Sequence, residues 1–150
     1  MLLPADWRSW SLARMYEALP NDECDGCDGC GEKCAGEIRM TRWEYEQIRT
    51  RDPVRPPNPP REKAEPFAQP CAFRDVVGGR CVVYPARPLI CRLFGLVEWL
   101  PCPLERWPTR LPQGLEIVRW YAREQLRTYA QWAALLPDRE AAGPTATRCT

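Results

Sequence analysis

Four thiols lie within eleven positions in the stretch Cys24-Asp-Gly-Cys27-Asp-Gly-Cys30-Gly-Glu-Lys-Cys34. The spacing, C-x2-C-x2-C-x3-C, is one that supplies thiolate ligands to iron–sulfur clusters. The intervening glycines let the backbone take positive φ angles, which allows successive sulfurs to face one centre. Because thiolates select zinc, copper(I) or iron–sulfur clusters, this stretch predicts a metal centre around which the fold is organised.

Four further cysteines follow singly and at near-even intervals: Cys71, Cys81, Cys91 and Cys102. The chain contains no histidine, so a soft-metal site must be built from thiolates. Eight thiols suffice for two tetrahedral zinc sites. The overlapping spacings of the first stretch suit a cluster better, because one loop can reach three corners of a cube. We therefore favour an iron–sulfur cluster, most simply 4Fe–4S, over zinc, and expect Cys149 to be a bystander.

Two other interpretations of the cysteines compete with metal binding. A disulfide framework is typical of short secreted chains, but the N-terminal residues lack the basic start and apolar run of a secretory signal. A chain of 150 residues can also bury a core without covalent crosslinks. Burial in an apolar core explains one or two thiols, but not four that are separated by glycines and acids.

The composition limits the remaining possibilities. With 21 basic and 20 acidic residues the formal net charge is +1, which indicates no preference for nucleic acid. No apolar run is long enough to span a membrane. We expect one cytoplasmic domain over residues 1–150, with its partner unknown and a protein partner left open.

The sequence pattern predicts a small, irregular α+β fold, with a few helices and a short hairpin around a multi-cysteine metal centre. Thr41 and Glu44 form a capping-box pattern that starts a helix running to about Asp52. Seven prolines indicate an extended connector over 53–70, and a loose tail is expected over 138–150. The other predicted elements are a helix at 5–19, a hairpin of 71–77 and 80–84 joined at Gly78-Gly79, a short helix at 89–94 with Gly95 as its C-cap, and a long helix at 115–136.

The segment Cys81-Val-Val-Tyr-Pro-Ala-Arg-Pro-Leu-Ile-Cys-Arg-Leu-Phe-Gly95 resembles the signature of the YkgJ-type cysteine-cluster family. Members are described as zinc- or iron-chelating domains, and flagellin lysine methylases are related to them. The resemblance covers roughly residues 24–102, and it also includes the motif residues Cys27, Cys30, Cys34, Met40, Thr41, Cys71 and Phe73.

The resemblance implies metal binding but no particular reaction. The family usually has two adjacent cysteines where this chain has Cys34-Ala35, and we expect Cys24 to supply the missing thiol. The expected metal ligands are therefore Cys24, Cys27, Cys30, Cys34, Cys71, Cys81, Cys91 and Cys102.

Arg87 and Arg92 are expected to surround the metal centre. They would either pair with carboxylates of the acidic first stretch or donate to cluster sulfurs or an anionic substrate. Tyr84 is expected to be a packed ring. A row of arginines on the predicted last helix is interpreted as a solvated face, with a phosphate backbone or an acidic partner as the alternative: Arg119, Arg123 and Arg127.

No catalytic constellation is visible, since the chain lacks histidine and phosphate-binding glycine motifs. Two function classes stay open. The first is a metalloprotein whose cluster transfers electrons, senses redox state or assists group transfer. The second is a zinc-stabilised binding module for a protein or nucleic-acid partner.

Overall fold

The structure, a computed structural model, describes residues 2–19, 37–51, 70–75, 77, 80–102, 105 and 111–136. Several sequence predictions lie outside these residues: the first cysteine stretch, nearly all of the proline-rich connector, the Gly78-Gly79 turn and the C-terminal tail with Cys149.

The described residues form a small mixed α+β structure, which confirms the predicted class. Five α-helices are present in them, together with two 3-10 helices, at Trp7–Ser9 and Tyr84–Ala86. Two short strands, β1 and β2, pair antiparallel, with Arg39 opposite Thr128 and Met40 opposite Arg127. The other bounds are α1 Leu12–Ala18, β1 Arg39–Met40, α2 Arg42–Arg51, α3 Leu89–Arg92, α4 Gly114–Tyr121, β2 Arg127–Thr128 and α5 Tyr129–Leu135.

Helix α2 begins at the predicted capping box. The Glu44 backbone N–H donates to Thr41 Oγ1 at 3.2 Å, and the Thr41 backbone N–H donates to Glu44 Oε2 at 2.7 Å. Met40 and Tyr45, which flank the cap in the positions of a hydrophobic staple, are both buried in the same cluster. The local sequence therefore fixes the start of this helix, as expected.

The helix expected over 5–19 is interrupted. A 3-10 turn ends at Ser9, and Trp10 has extended backbone with ψ of 150°. Ser11 then caps α1, because its side chain accepts a hydrogen bond from the Arg14 backbone N–H at 3.3 Å. A serine at this position competes with a continuous helix and starts a new one.

The prediction of one long helix over 115–136 is wrong. Helix α4 ends at Tyr121, and α5 starts after Thr128, whose side chain forms a second capping box with Gln131. The intervening segment is held by the pairing of β2 with β1 and by Trp132, whose Nε1 donates to the Met40 carbonyl at 2.8 Å. The apolar residues are spaced three or four apart in both helices, and this spacing continues across the break. The sequence pattern therefore gave no sign that the helix is divided.

The predicted hairpin is present in shortened form. Arg74 and Cys81 form a single antiparallel bridge. The Asp75 backbone N–H donates to the Arg80 carbonyl at 2.8 Å, and the Val82 backbone N–H donates to the Phe73 carbonyl at 2.9 Å. The predicted short helix ends earlier than expected, at Arg92 in α3, and its C-cap is Leu93 rather than the predicted Gly95. Gly95 has a positive φ of 77°, but its backbone N–H donates to the Leu100 carbonyl at 2.8 Å.

Two hydrophobic clusters make up the described core. The leucine cluster lies among α1, α3 and α4 and comprises Leu3, Trp7, Met15, Leu19, Leu89, Leu93, Leu96, Val97, Leu111, Ile117 and Tyr121. The thiol cluster lies among α2, α5 and the hairpin and comprises Met40, Tyr45, Ile48, Cys71, Phe73, Val83, Ala86 and Trp132, with Cys81 packed at its edge.

Candidate metal centre

Cys71 and Cys81, two of the expected ligands, lie together in the hairpin. Cys81 is one residue of the antiparallel bridge, and Cys71 lies three residues before its partner in that bridge. A charge on Cys71 raises the pKa of Cys81, so the two thiols are close enough to interact electrostatically. Among the described residues, the cysteines form no disulfide bonds with one another.

Backbone N–H groups are directed at both of these sulfurs. Burial raises the pKa of the Cys71 thiol, while hydrogen bonds from the Phe73 and Arg74 backbones act in the opposite direction. Burial also raises the pKa of Cys81, and a hydrogen bond from the Val83 backbone opposes that shift. N–H donors stabilise a thiolate but do not overcome its desolvation here. The positive charge of a metal ion supplies the remaining stabilisation at such a site.

Arg87 lies beside the Cys81 thiol. Its positive charge lowers the pKa of Cys81, and its guanidinium lies 4.1 Å from the centre of the Tyr84 ring. Tyr84 therefore packs against a cation, in keeping with its expected role as a packed ring. The structure places Arg87 next to an expected ligand.

Arg92 is buried and contacts backbone carbonyls. Its Nε donates to the Arg87 carbonyl at 3.2 Å, and one terminal nitrogen donates to the Pro85 carbonyl at 2.8 Å. The guanidinium also lies 4.2 Å from the centre of the Tyr16 ring. These contacts connect α3 to the preceding 3-10 helix.

Cys91 and Cys102 lie apart from the hairpin in the sequence. Cys91 is a half-buried residue of α3, and its charge contributes to the raised pKa of Tyr121, which places it near that phenol. Cys102 is buried and follows the bridge between Val97 and Leu100.

The four described thiols do not complete a metal site by themselves. Within the described residues, no group of three or more His, Cys, Asp and Glu side chains is arranged to hold a metal ion. The remaining expected ligands, in residues 24–34, lie outside them. The donor set nevertheless fits a soft metal, because buried sulfurs that accept backbone N–H bonds are suited to thiolate ligation.

Sequence reasoning missed most of the hydrogen bonds of one buried side chain, Glu44. Glu44 is completely buried, and its carboxylate accepts five hydrogen bonds. The Thr-x-x-Glu pattern pointed only to the two bonds from Thr41. The other donors come from distant segments and carry no local signal: the hydroxyls of Tyr16 and Tyr121 and the backbone N–H of Leu89.

The arginine row predicted on the last helix is not a single face. Arg119 and Arg123 are exposed at and just beyond the end of α4. Arg127 lies in β2, with its guanidinium 5.6 Å from the centre of the Trp132 ring. The break between α4 and α5 separates them.

None of the helices in the described part of the chain is long and apolar enough to cross a bilayer.

Comparison with known proteins places these features in a family. No curated protein and no solved structure matches the chain. One family profile, described as "CxxCxxCC: Putative zinc- or iron-chelating domain", matches residues 23–124 and so includes all eight expected ligands. The chain belongs to this family of cysteine-cluster domains, which is described as zinc- or iron-chelating.

Proposed function

We propose that the protein binds its metal as an iron–sulfur cluster, most simply 4Fe–4S, and serves a redox or group-transfer role. The observation that carries the metal-binding part is the hairpin, in which Cys71 and Cys81 lie together and accept hydrogen bonds from backbone N–H groups. Such bonds tune the reduction potential of a cluster. When bound, the cluster would supply one-electron transfer.

The choice of a cluster over zinc is supported by the spacing of the first cysteine stretch. Cys24, Cys27, Cys30 and Cys34 follow the pattern of cluster ligands. Arg87 would then hold positive charge next to the Cys81 thiolate. Arg92 would keep α3, and with it Cys91, in place through its two carbonyl contacts.

The alternative is a zinc-stabilised binding module for a protein or nucleic-acid partner. The same hairpin favours it to the extent that two thiols on one hairpin supply half of a tetrahedral zinc site. Anaerobic purification separates the two proposals. A cluster gives a brown protein that contains iron and acid-labile sulfide, whereas zinc gives a colourless protein. A colourless protein with stoichiometric zinc and no iron would replace the cluster proposal with the zinc one.

Metal binding is expected to release protons. Burial raises the pKa of Cys71 and Cys81, so both thiols are protonated in the metal-free protein at neutral pH. Binding requires the thiolates, and the affinity must therefore fall as the pH is lowered. Titration of metal-free protein with zinc in a weakly buffered indicator solution measures the released protons. An absence of proton release would contradict thiolate ligation.

A further inference from the structure

We propose that Glu44 is a positioning residue for the metal ligand Cys91, because its carboxylate holds the N-terminus of the short helix that carries this thiol. The inference rests on the proposed function, in which Cys91 is a ligand. It goes beyond that function by assigning a role to a buried carboxylate that lies outside the cysteine motifs.

The first observation is the contact between Glu44 and α3. The Leu89 backbone N–H, the first of that helix, donates to Glu44 Oε1 at 2.7 Å. The preceding residue, Pro88, is the N-cap and its ring carries no hydrogen-bond acceptor. The first N–H groups of a helix have no partner inside it, so a side chain from another helix provides this cap.

The second observation is that the same carboxylate also caps its own helix. Glu44 Oε2 accepts from the Thr41 backbone N–H at 2.7 Å and from Thr41 Oγ1 at 2.9 Å. Oε2 therefore caps the start of α2, and Oε1 caps the start of α3. The relative position of the two helix starts is fixed by the two oxygens of a single rigid group.

The third observation is that tyrosines from two further helices hold the carboxylate. The Tyr16 hydroxyl of α1 lies 2.5 Å from Oε1, and the Tyr121 hydroxyl of α4 lies 2.5 Å from Oε2. Burial and the charge of Glu44 raise the pKa of both phenols, so both remain protonated donors. Four helices thus meet at one buried acid.

Cys91 lies between the contacts that hold α3. Leu89, two residues before it, is bound to Glu44, and Arg92, directly after it, is bound to the Pro85 and Arg87 carbonyls. Tyr121 lies near Cys91, and its hydroxyl donates a hydrogen bond to Glu44. Displacement of Glu44 would therefore move the start of α3 and shift the Cys91 thiol.

An amide cannot replace this carboxylate. Both oxygens accept a backbone N–H, whereas glutamine offers one oxygen and one NH₂ group. In either orientation of the amide, the NH₂ would face the N–H of Leu89 or that of Thr41. Glu44→Gln is thus a nearly isosteric variant that is expected to disturb one of the two helix starts.

The experiment is a pair of double-mutant cycles on anaerobically purified protein with its bound metal, with release of that iron or zinc to an excess of a chromophoric chelator as the readout. We expect Glu44→Gln to accelerate release by about 10–100-fold, the size typical for residues that support metal ligands. In a protein that already carries Cys91→Ser, Glu44→Gln should no longer accelerate metal release, because both substitutions act through the same ligand. In a protein that carries Cys71→Ser, the accelerations of metal release caused by Cys71→Ser and by Glu44→Gln should multiply, because they act through different ligands.

Two further variants separate positioning from general stability. Leu111→Ala removes a buried side chain of the leucine cluster that is not one of the hydrogen-bond donors to Glu44. It should lower the melting temperature and leave the release rate unchanged. Glu44→Asp retains the charge but withdraws the carboxylate by one methylene. It takes the place of Glu44→Gln in both cycles if the glutamine variant does not fold.

The outcomes are distinguishable. If the wild-type protein binds no metal through its thiols, the proposed function fails. If the wild type binds its metal through thiols but Glu44→Gln releases that metal at the wild-type rate, or if the effect of Glu44→Gln multiplies equally with those of Cys91→Ser and Cys71→Ser, the positioning role is overturned and the metal site stands.

Discussion

The two hydrophobic clusters differ in what holds them together. The leucine cluster is built from helices whose buried side chains are aliphatic or aromatic, and burial of that apolar surface stabilises it without a ligand. The thiol cluster includes a hairpin with one bridge and two thiols, of which Cys71 is buried and Cys81 half-buried. The comparison teaches that metal dependence should be stronger in the thiol cluster than in the leucine cluster, which α3 links to the expected ligand Cys91.

The strongest test of this difference is removal of the metal. Hydrogen exchange on the metal-loaded and metal-free protein should show the Val82 backbone N–H, in the hairpin, losing most of its protection. The Ile117 backbone N–H, in α4, should keep more of its protection. Structural zinc contributes about 10–16 kcal/mol to the folding of zinc-finger peptides, so the effect on the hairpin should be the largest of those predicted here. Equal loss of protection at both sites would show one cooperative unit and contradict the comparison.

A second test disturbs only the leucine cluster. Gly114 begins α4, and a Cβ there would lie 2.3 Å from Val97 Cγ1 and 2.7 Å from Val97 Cβ. Gly114→Ala should therefore lower the free energy of unfolding by about 1–3 kcal/mol, the usual cost of overpacking. Thermal unfolding measures the loss. The double variant with Val97→Ala is the control and should recover part of it, since it removes both Cγ atoms. A metal content that falls with Gly114→Ala would show that the clusters are not independent.

A third, smaller effect is expected at the helix cap of the thiol cluster. Thr128→Ala removes the capping box of α5 and should destabilise the protein by about 0.5–2 kcal/mol. Its matched control is Ser11→Ala, which removes the exposed cap of α1. Chemical denaturation gives both values. We expect only Thr128→Ala to make the protein more sensitive to a chelator, and equal sensitivity would contradict the division into two clusters.

The smallest effect is expected at the surface. Arg8 and Glu116 form an ion pair in which both side chains are about half exposed. Exposed pairs contribute about 0–1 kcal/mol, so Arg8→Ala should barely change the melting temperature at physiological ionic strength. A loss of several degrees that persists in high salt would show that Arg8 acts through its stacking on Trp7 rather than through charge.

Features encoded by neighbouring residues were predictable from the sequence. The capping box of α2 lies where its local pattern put it, whereas the predicted cap Gly95 lies beyond the end of α3. The prediction of a single helix over 115–136 was wrong. The break between α4 and α5 depends on the pairing of β2 with β1, which is a contact between segments distant in the sequence. The eight cysteines indicated a metal centre, and the family match supports that. The role of Glu44 could not be inferred, since Tyr16, Leu89 and Tyr121 lie far from it in the sequence.

The bond from Trp132 to the Met40 carbonyl has a consequence for the order of folding. It joins residues 92 positions apart, and the partners in the short sheet are almost as distant. Closing such a loop is entropically costly and slow compared with local contacts. The hairpin with Cys71 and Cys81 lies inside this loop and needs only its own neighbours. We therefore expect the two thiols to meet, and to begin to bind a metal ion, before β1 pairs with β2.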